Sequence, residues 1–67
     1  MERDKFLTLC RKAKTTKEKI TVLYRENQYT PIAYKISFTD SGEVIHTAIL
    51  HSTKANSIME CALQDVC

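Results

Sequence analysis

The chain has 67 residues, enough for one domain (residues 1–67) whose single core only marginally offsets chain entropy. Hydrophobic residues make up 43% and charged residues 27% of the chain, a balance that is typical of a folded protein and excludes a disordered one. The net charge of +2 is small, and no apolar run reaches the roughly 18 to 20 residues of a membrane span, so we expect a cytoplasmic protein with no membrane partner.

The first predicted element is an amphipathic helix over about residues 3–14. Apolar residues recur there at the i, i+3, i+4, i+7 spacing of one helix face. They are Phe6, Leu9, Cys10 and Ala13. The polar residues 14–17 follow, and their two threonines predict the end of the helix near this point.

Most of the positive charge lies at the end of this helix and in the loop behind it. Residues 1–19 carry seven Lys and Arg against three acids, whereas residues 20–67 carry three against five. The basic segment consists of Arg11, Lys12, Lys14, Lys17 and Lys19. Such a cluster can attract phosphates or an acidic partner. A solvated helix end also accounts for it, because basic side chains near a helix C-terminus are favoured by the helix dipole.

Alternating apolar residues predict a first strand over about residues 19–25. The polar connection over residues 26–28 predicts a tight turn, in which Asn27 tolerates the left-handed conformation. A three-residue loop would place Val22 opposite Ile32, with both apolar sets on one face.

A shorter loop is the alternative for this connection. It would set Tyr24 against Tyr29 and require a bulge near Pro31 to restore the apolar match. The second strand, over about residues 29–39, also favours a distortion there. The twelve residues from 28 to 39 would extend about 40 Å, more than we expect such a small domain to measure, so the strand must bend or break. Pro31 is the natural bending point, because it cannot donate to the ladder.

The turn at residues 39–43 is the strongest local signal in the chain. Gly42 supplies the positive φ of a type I turn with a bulge, and apolar residues resume on both sides. Counting outward from this turn fixes a register that keeps one apolar face throughout. The predicted pairs are Phe38–Val44, Ile36–His46, Tyr34–Ala48 and Ile32–Leu50.

The third strand, over about residues 43–51, is apolar on both faces. Its second face carries Ile45, Thr47 and Ile49, and a strand apolar on both sides is usually covered on both sides. The helix can cover one face, while curling of the sheet or a second subunit must cover the other. We therefore treat these three residues as a candidate protein interface, with a homodimer among the possible assemblies.

A fourth strand over about residues 57–63 and a short tail complete the chain. The predicted fold class is α+β: an N-terminal helix followed by a curved four- to five-stranded antiparallel meander, with an SH3-like small barrel as one form of it.

The sequence gives little support for catalysis or for metal binding. His46 and His51 are five apart on one strand and so face opposite sides, and no Cys pair has the short spacing of a structural zinc site. The three cysteines, odd in number, fit reduced thiols better than a disulfide framework. Gly42 is the only glycine, so no glycine-rich phosphate loop exists. We expect no enzymatic activity, no metal and no cofactor.

Tyrosines near the basic segment suggest a second kind of partner. Tyr24 and Tyr29 could stack on the bases of a nucleic acid whose phosphates meet the basic residues of 11–19. Packing of these rings across neighbouring strands is the simpler interpretation.

The second half of the chain carries a resemblance to a known group. The stretches YKISF at 34–38, HTAILH at 46–51 and ANS at 55–57 resemble small uncharacterised proteins of bacterial phages and other mobile elements. The strand order is similar to that of SH3-like and Sm-like barrels. The resemblance implies no assigned activity and no functional residues. The third strand, apolar on both faces, and the absence of catalytic groups favour a small non-catalytic interaction or regulatory protein of a phage or mobile element that binds another protein. A nucleic-acid-binding module using the basic segment is the alternative.

Overall fold

The computed structural model describes residues 1–67 as one helix followed by one curled sheet. The elements are helix α1 (Arg3–Thr15), strands β1 (Val22–Tyr24), β2 (Asn27–Phe38), β3 (Val44–Ser52) and β4 (Ser57–Ala62), and a 3₁₀ turn (Leu63–Asp65). All strand pairs are antiparallel, in the order β1-β2-β3-β4, and the sheet curls into a half-barrel. The predicted α+β architecture of a helix and a curved meander is confirmed.

Helix α1 contributes its apolar stripe to the core. Phe6 is completely buried and Cys10 nearly so, while the opposite helix face is exposed. The helix ends at Thr15 because Thr16 has an extended backbone. The Thr16 N–H and hydroxyl both donate to the Lys12 carbonyl, which satisfies one of the acceptors left free at a helix end.

The turn between β1 and β2 differs from the predicted loop. Tyr24 pairs with Asn27, so the connection is the two-residue turn Arg25–Glu26, and Val22 lies opposite Tyr29 rather than Ile32. Both turn residues have positive φ, 48° at Arg25 and 67° at Glu26. Two left-handed residues make the primed turn whose twist matches that of the flanking strands, and this geometry outweighs the residue preference for Asn at the turn.

The predicted distortion near Pro31 is present as a bulge. The β2–β3 register shifts between Pro31 and Ala33, so the strand bends without breaking. The molecule measures 41 Å along its longest axis, so a twelve-residue strand fits, and the expectation of a narrower domain was wrong. Because of the bulge, the side chain of Tyr34 lies on the same face of the sheet as those of Tyr24 and Tyr29, and all three rings pack against the core.

The β2–β3 hairpin follows the predicted register over most of its length. The pairs Phe38–Val44, Ile36–His46 and Tyr34–Ala48 are confirmed. Leu50 faces Pro31 instead of Ile32, because the bulge inserts one residue on β2. Gly42 has φ 86°, and its N–H donates to the Thr39 carbonyl, as the predicted turn requires.

The core lies between α1 and the concave face of the sheet. Its buried members are Phe6, Cys10, Val22, Ala48, Leu50, Cys61, Leu63 and Val66. The tail after the 3₁₀ turn returns to β1, where Leu23 and Cys67 exchange two backbone hydrogen bonds of 3.0 and 2.8 Å. These bonds link the last residues to the first strand and draw the two ends of the sheet together.

Candidate interaction surface at the end of the hairpin

Large apolar side chains are exposed at the end of the β2–β3 hairpin. Ile36 is 46%, Phe38 69% and Val44 50% exposed, and all three lie on the face that forms the core farther along the strands. We call these three residues the hairpin-end patch. Exposed large apolar groups that cluster, rather than scatter singly, mark interaction surfaces.

The hairpin-end patch is exposed because the helix is too short to cover the whole hairpin. The 13 residues of α1 extend about 20 Å at 1.5 Å each. The twelve residues of β2 extend about 40 Å at 3.3 Å each. Ala48 and Leu50 belong to the core under the helix, whereas no residue of the patch belongs to the core or to its packed neighbours.

Tyr34 and His46 form the boundary between the core and the patch. Their rings are stacked, with centroids 5.8 Å apart and an interplanar angle of 7°. The Tyr34 hydroxyl also hydrogen-bonds the His46 Nδ1. The Tyr34 ring packs on the core, and His46 lies opposite Ile36 in the ladder. The stacked pair therefore connects the core to the patch.

The edge of β3 is open beside the patch. Strand β4 ends at Ala62, which lies opposite Thr47, so Val44, Ile45 and His46 have no strand on that side. A shallow groove of about 420 Å³ follows this edge. Its lining consists of Met1, Arg3, Val44, Ile45, His46, Ala62, Leu63 and Gln64.

The interface predicted on the other face of β3 is covered only in part. Ile45 is 43% exposed, while Thr47 and Ile49 are half-buried. The same face carries the exposed ion pair between the Lys35 Nζ and the Glu60 Oε1, 2.8 Å apart. Such exposed ion pairs are in contact with solvent and contribute little to stability, so this face of the sheet can lie in water. Ile45 is therefore the most exposed member of the predicted interface, and it lies on the opposite face of the sheet from the hairpin-end patch.

The basic segment is fully on the surface. Arg11, Lys12, Lys14, Lys17 and Lys19 are all exposed. Their charges spread over the last turns of α1 and the following loop, without an ion pair to any acid. The segment therefore offers positive charge to solvent.

The two candidate stacking rings pack against each other and the core. Tyr24 and Tyr29 are half-buried, with ring centroids 6.3 Å apart, and the Arg25 guanidinium lies 5.2 Å from the Tyr24 centroid. A polar groove of about 390 Å³ passes Tyr29 and is lined by Lys19 and Lys54 among others. This groove is the place where the basic segment and a tyrosine come together.

The cysteine and histidine side chains form no common site. Burial raises the pKa of the Cys10 thiol, and burial together with the Asp65 carboxylate raises that of Cys61. All three cysteines are free, and His51 makes its contact with the Asn56 Oδ1 at 3.3 Å, away from the Tyr34–His46 pair. No group of three or more His, Cys, Asp or Glu side chains is arranged to hold a metal ion.

Sequence reasoning placed the hairpin-end residues in the core and so missed this surface. The alternation of apolar residues assigns the face correctly, but it does not say how far the covering helix reaches. The mismatch between about 20 Å of helix and about 40 Å of strand was the signal available in the sequence.

Comparison of the chain with family models, curated proteins and solved structures finds no match. Helix α1 is too short and too polar to cross a membrane.

Proposed function

We propose that this protein is a small, non-catalytic interaction or regulatory protein that binds another protein through the end of its β2–β3 hairpin. The observation that carries the proposal is the clustering of exposed apolar side chains there. Of the six large apolar residues exposed on the whole chain, three form the hairpin-end patch and Ile45 follows Val44 directly.

The geometry of the hairpin end suits protein binding. The side chains project from a paired, hydrogen-bonded ladder, so the partner meets a surface that is already ordered and costs little further conformational entropy. Phe38 is the most exposed of the three side chains, and aromatic residues are enriched at protein interfaces. A role in a phage or other mobile element is part of the proposal, and it rests on the resemblance of the second half of the chain.

The test compares two charge substitutions at equally exposed apolar positions. Phe38→Glu places a charge in the hairpin-end patch, whereas Ile58→Glu places one on β4, on the opposite face of the sheet and at 66% exposure. Affinity capture from the native host, followed by mass spectrometry, should recover a protein with the wild type and Ile58→Glu but not with Phe38→Glu. Equal recovery with all three baits, or none with any, contradicts the proposal.

A nucleic-acid-binding module is the second candidate, favoured by one observation. The polar groove beside Tyr29 lies next to the basic segment through Lys19. Binding there would neutralise phosphates and weaken steeply as salt rises. Fluorescence polarisation with single- and double-stranded probes at low salt tests it, with Lys17→Glu/Lys19→Glu as the variant and Lys35→Glu as the control. No polarisation change at micromolar protein excludes this function.

A further inference from the structure

We infer that the partner of the hairpin-end patch is a second copy of this chain, packed face to face about a two-fold axis. The inference rests on the proposed function, because it names the occupant of the surface described there. In such an assembly Ile36, Phe38 and Val44 of each copy cover the same three residues of the other.

The electrostatics of the face favour a second copy over a charged partner. The ladder positions that share this face beyond the core are Tyr34, Ile36 and Phe38 on β2 and Val44 and His46 on β3. None of them is an acid, a lysine or an arginine. In a two-fold contact each residue meets the same surface on its copy, so any formal charge would meet its like. This face avoids that repulsion.

The lysine and acidic side chains near the hairpin end lie outside the face, and Arg3 borders it in the groove beside Val44 and His46. Lys35 occupies the alternate position on β2 and reaches across the opposite side of the sheet to Glu60. Asp40 and Glu43 lie in or beside the turn and are exposed. They form a polar rim around an uncharged centre, the usual arrangement at a protein interface.

The apolar area of the patch covers most of the apolar part of a standard interface. At 150–200 Å² for side chains of this size, the exposed fractions of the three patch residues correspond to roughly 300 Å² of surface. A standard interface buries about 800 Å² per partner, a little over half of it apolar. The patch thus supplies about two thirds of the apolar part, and His46 and the Tyr34 edge border it.

The helix leaves room for the contact. The uncovered half of the hairpin presents one face of paired strands, and two sheet faces pack about 10 Å apart with their side chains interdigitated. The helix of each copy stays on its own core, because it covers only the part of the hairpin that contains Ala48 and Leu50. Dimer formation therefore requires no rearrangement of the folded chain.

Sedimentation equilibrium of the purified protein, from about 1 µM to about 1 mM, tests the inference by spanning the range of weak to moderate dimers. We expect a reversible monomer–dimer equilibrium. Phe38→Glu should weaken it by at least about tenfold, the loss typical of a hot-spot residue. Ile58→Glu should leave it unchanged. Circular dichroism establishes that both variants remain folded, as their exposed positions predict.

Isotope-filtered NMR on a mixture of labelled and unlabelled chains locates the contact independently of any variant. Intermolecular contacts among Ile36, Phe38 and Val44 support the two-fold face. A monomer at every concentration overturns the inference, as does a dimer whose contacts lie elsewhere. Either result leaves the proposed function intact if Phe38→Glu still abolishes capture of a different protein. A patch-dependent dimer, with this chain as the only protein recovered in the capture experiment, supports the inference and identifies the second copy as the bound protein.

Discussion

The two phenylalanines of the chain provide a matched test of the boundary between core and exposed patch. Phe6 is 0% exposed and anchors α1 on the sheet, whereas Phe38 projects from the hairpin end. Replacing a fully buried Phe by Ala costs about 3–5 kcal/mol. A 67-residue domain has about 3–10 kcal/mol of unfolding free energy at 0.05–0.15 kcal/mol per residue, so Phe6→Ala should remove about a third of it or more.

The same substitution at Phe38 should cost far less. Only about a third of this side chain is buried, which corresponds to no more than about 1.5 kcal/mol on the same scale. Urea denaturation followed by circular dichroism, at a concentration where the protein is monomeric, measures both values. If Phe6→Ala is fully unfolded, Phe6→Leu provides a smaller loss that is still measurable. Equal costs at the two positions would refute the assignment of the helix to the core and of the hairpin end to solvent.

Three further predictions concern the turns and the thiols. Gly42→Ala should lower the free energy of unfolding by about 1 kcal/mol, measured by urea denaturation, because φ is 86° and a Cβ would meet no atom, so that only the backbone conformation is penalised. Glu26→Gly should raise it by about 0.5 kcal/mol in the same assay, because the φ of 67° suits glycine in a primed turn; a loss of stability would contradict the assigned turn. Iodoacetamide should modify the exposed Cys67 before Cys10 and Cys61, whose pKa values burial raises above 9.0, as peptide mass spectrometry can establish. Because both pKa values are raised in the folded state, the thiols ionise at lower pH in the unfolded chain, so the stabilisation from them is complete below their ordinary pKa and is lost as the pH rises through their folded-state pKa values.

The hairpin register could be predicted because the turn and the alternation give the same answer. Gly42 fixes the turn, and counting from it pairs Phe38 with Val44 and Tyr34 with Ala48. The predicted pair of Ile32 with Leu50 is wrong, because one inserted residue shifts the ladder between Ala33 and Pro31 and brings Pro31 opposite Leu50. A proline that cannot donate indicates that the ladder is disturbed, but either side of it can absorb the extra residue.

The turn before β2 could not be predicted from residue preferences. Arg25 and Glu26 are unfavourable at positive φ, whereas Asn27 tolerates it, yet the turn uses the first two and places Asn27 in the ladder. The choice is made by packing, because this register sets Val22, nearly fully buried, opposite Tyr29. Burial of Val22 contributes about 1.5–3 kcal/mol, and together with the packing of Tyr24 and Tyr29 on the core it offsets a strain of about 1–3 kcal/mol at each left-handed residue.

Uncovered apolar surface on the hairpin end carries a free-energy cost that the part of the same face under the helix avoids. On β3 the buried positions Ala48 and Leu50 alternate with Thr47 and Ile49, and the helix covers the first pair. Farther along the same face, Phe38 and Val44 continue the apolar row past the end of the cover. A polar pair at these two positions would complete the hairpin without exposing apolar area, and folding of the core does not depend on them. The proposed partner would account for the apolar row, and an uncharged, self-compatible face favours a second copy as that partner.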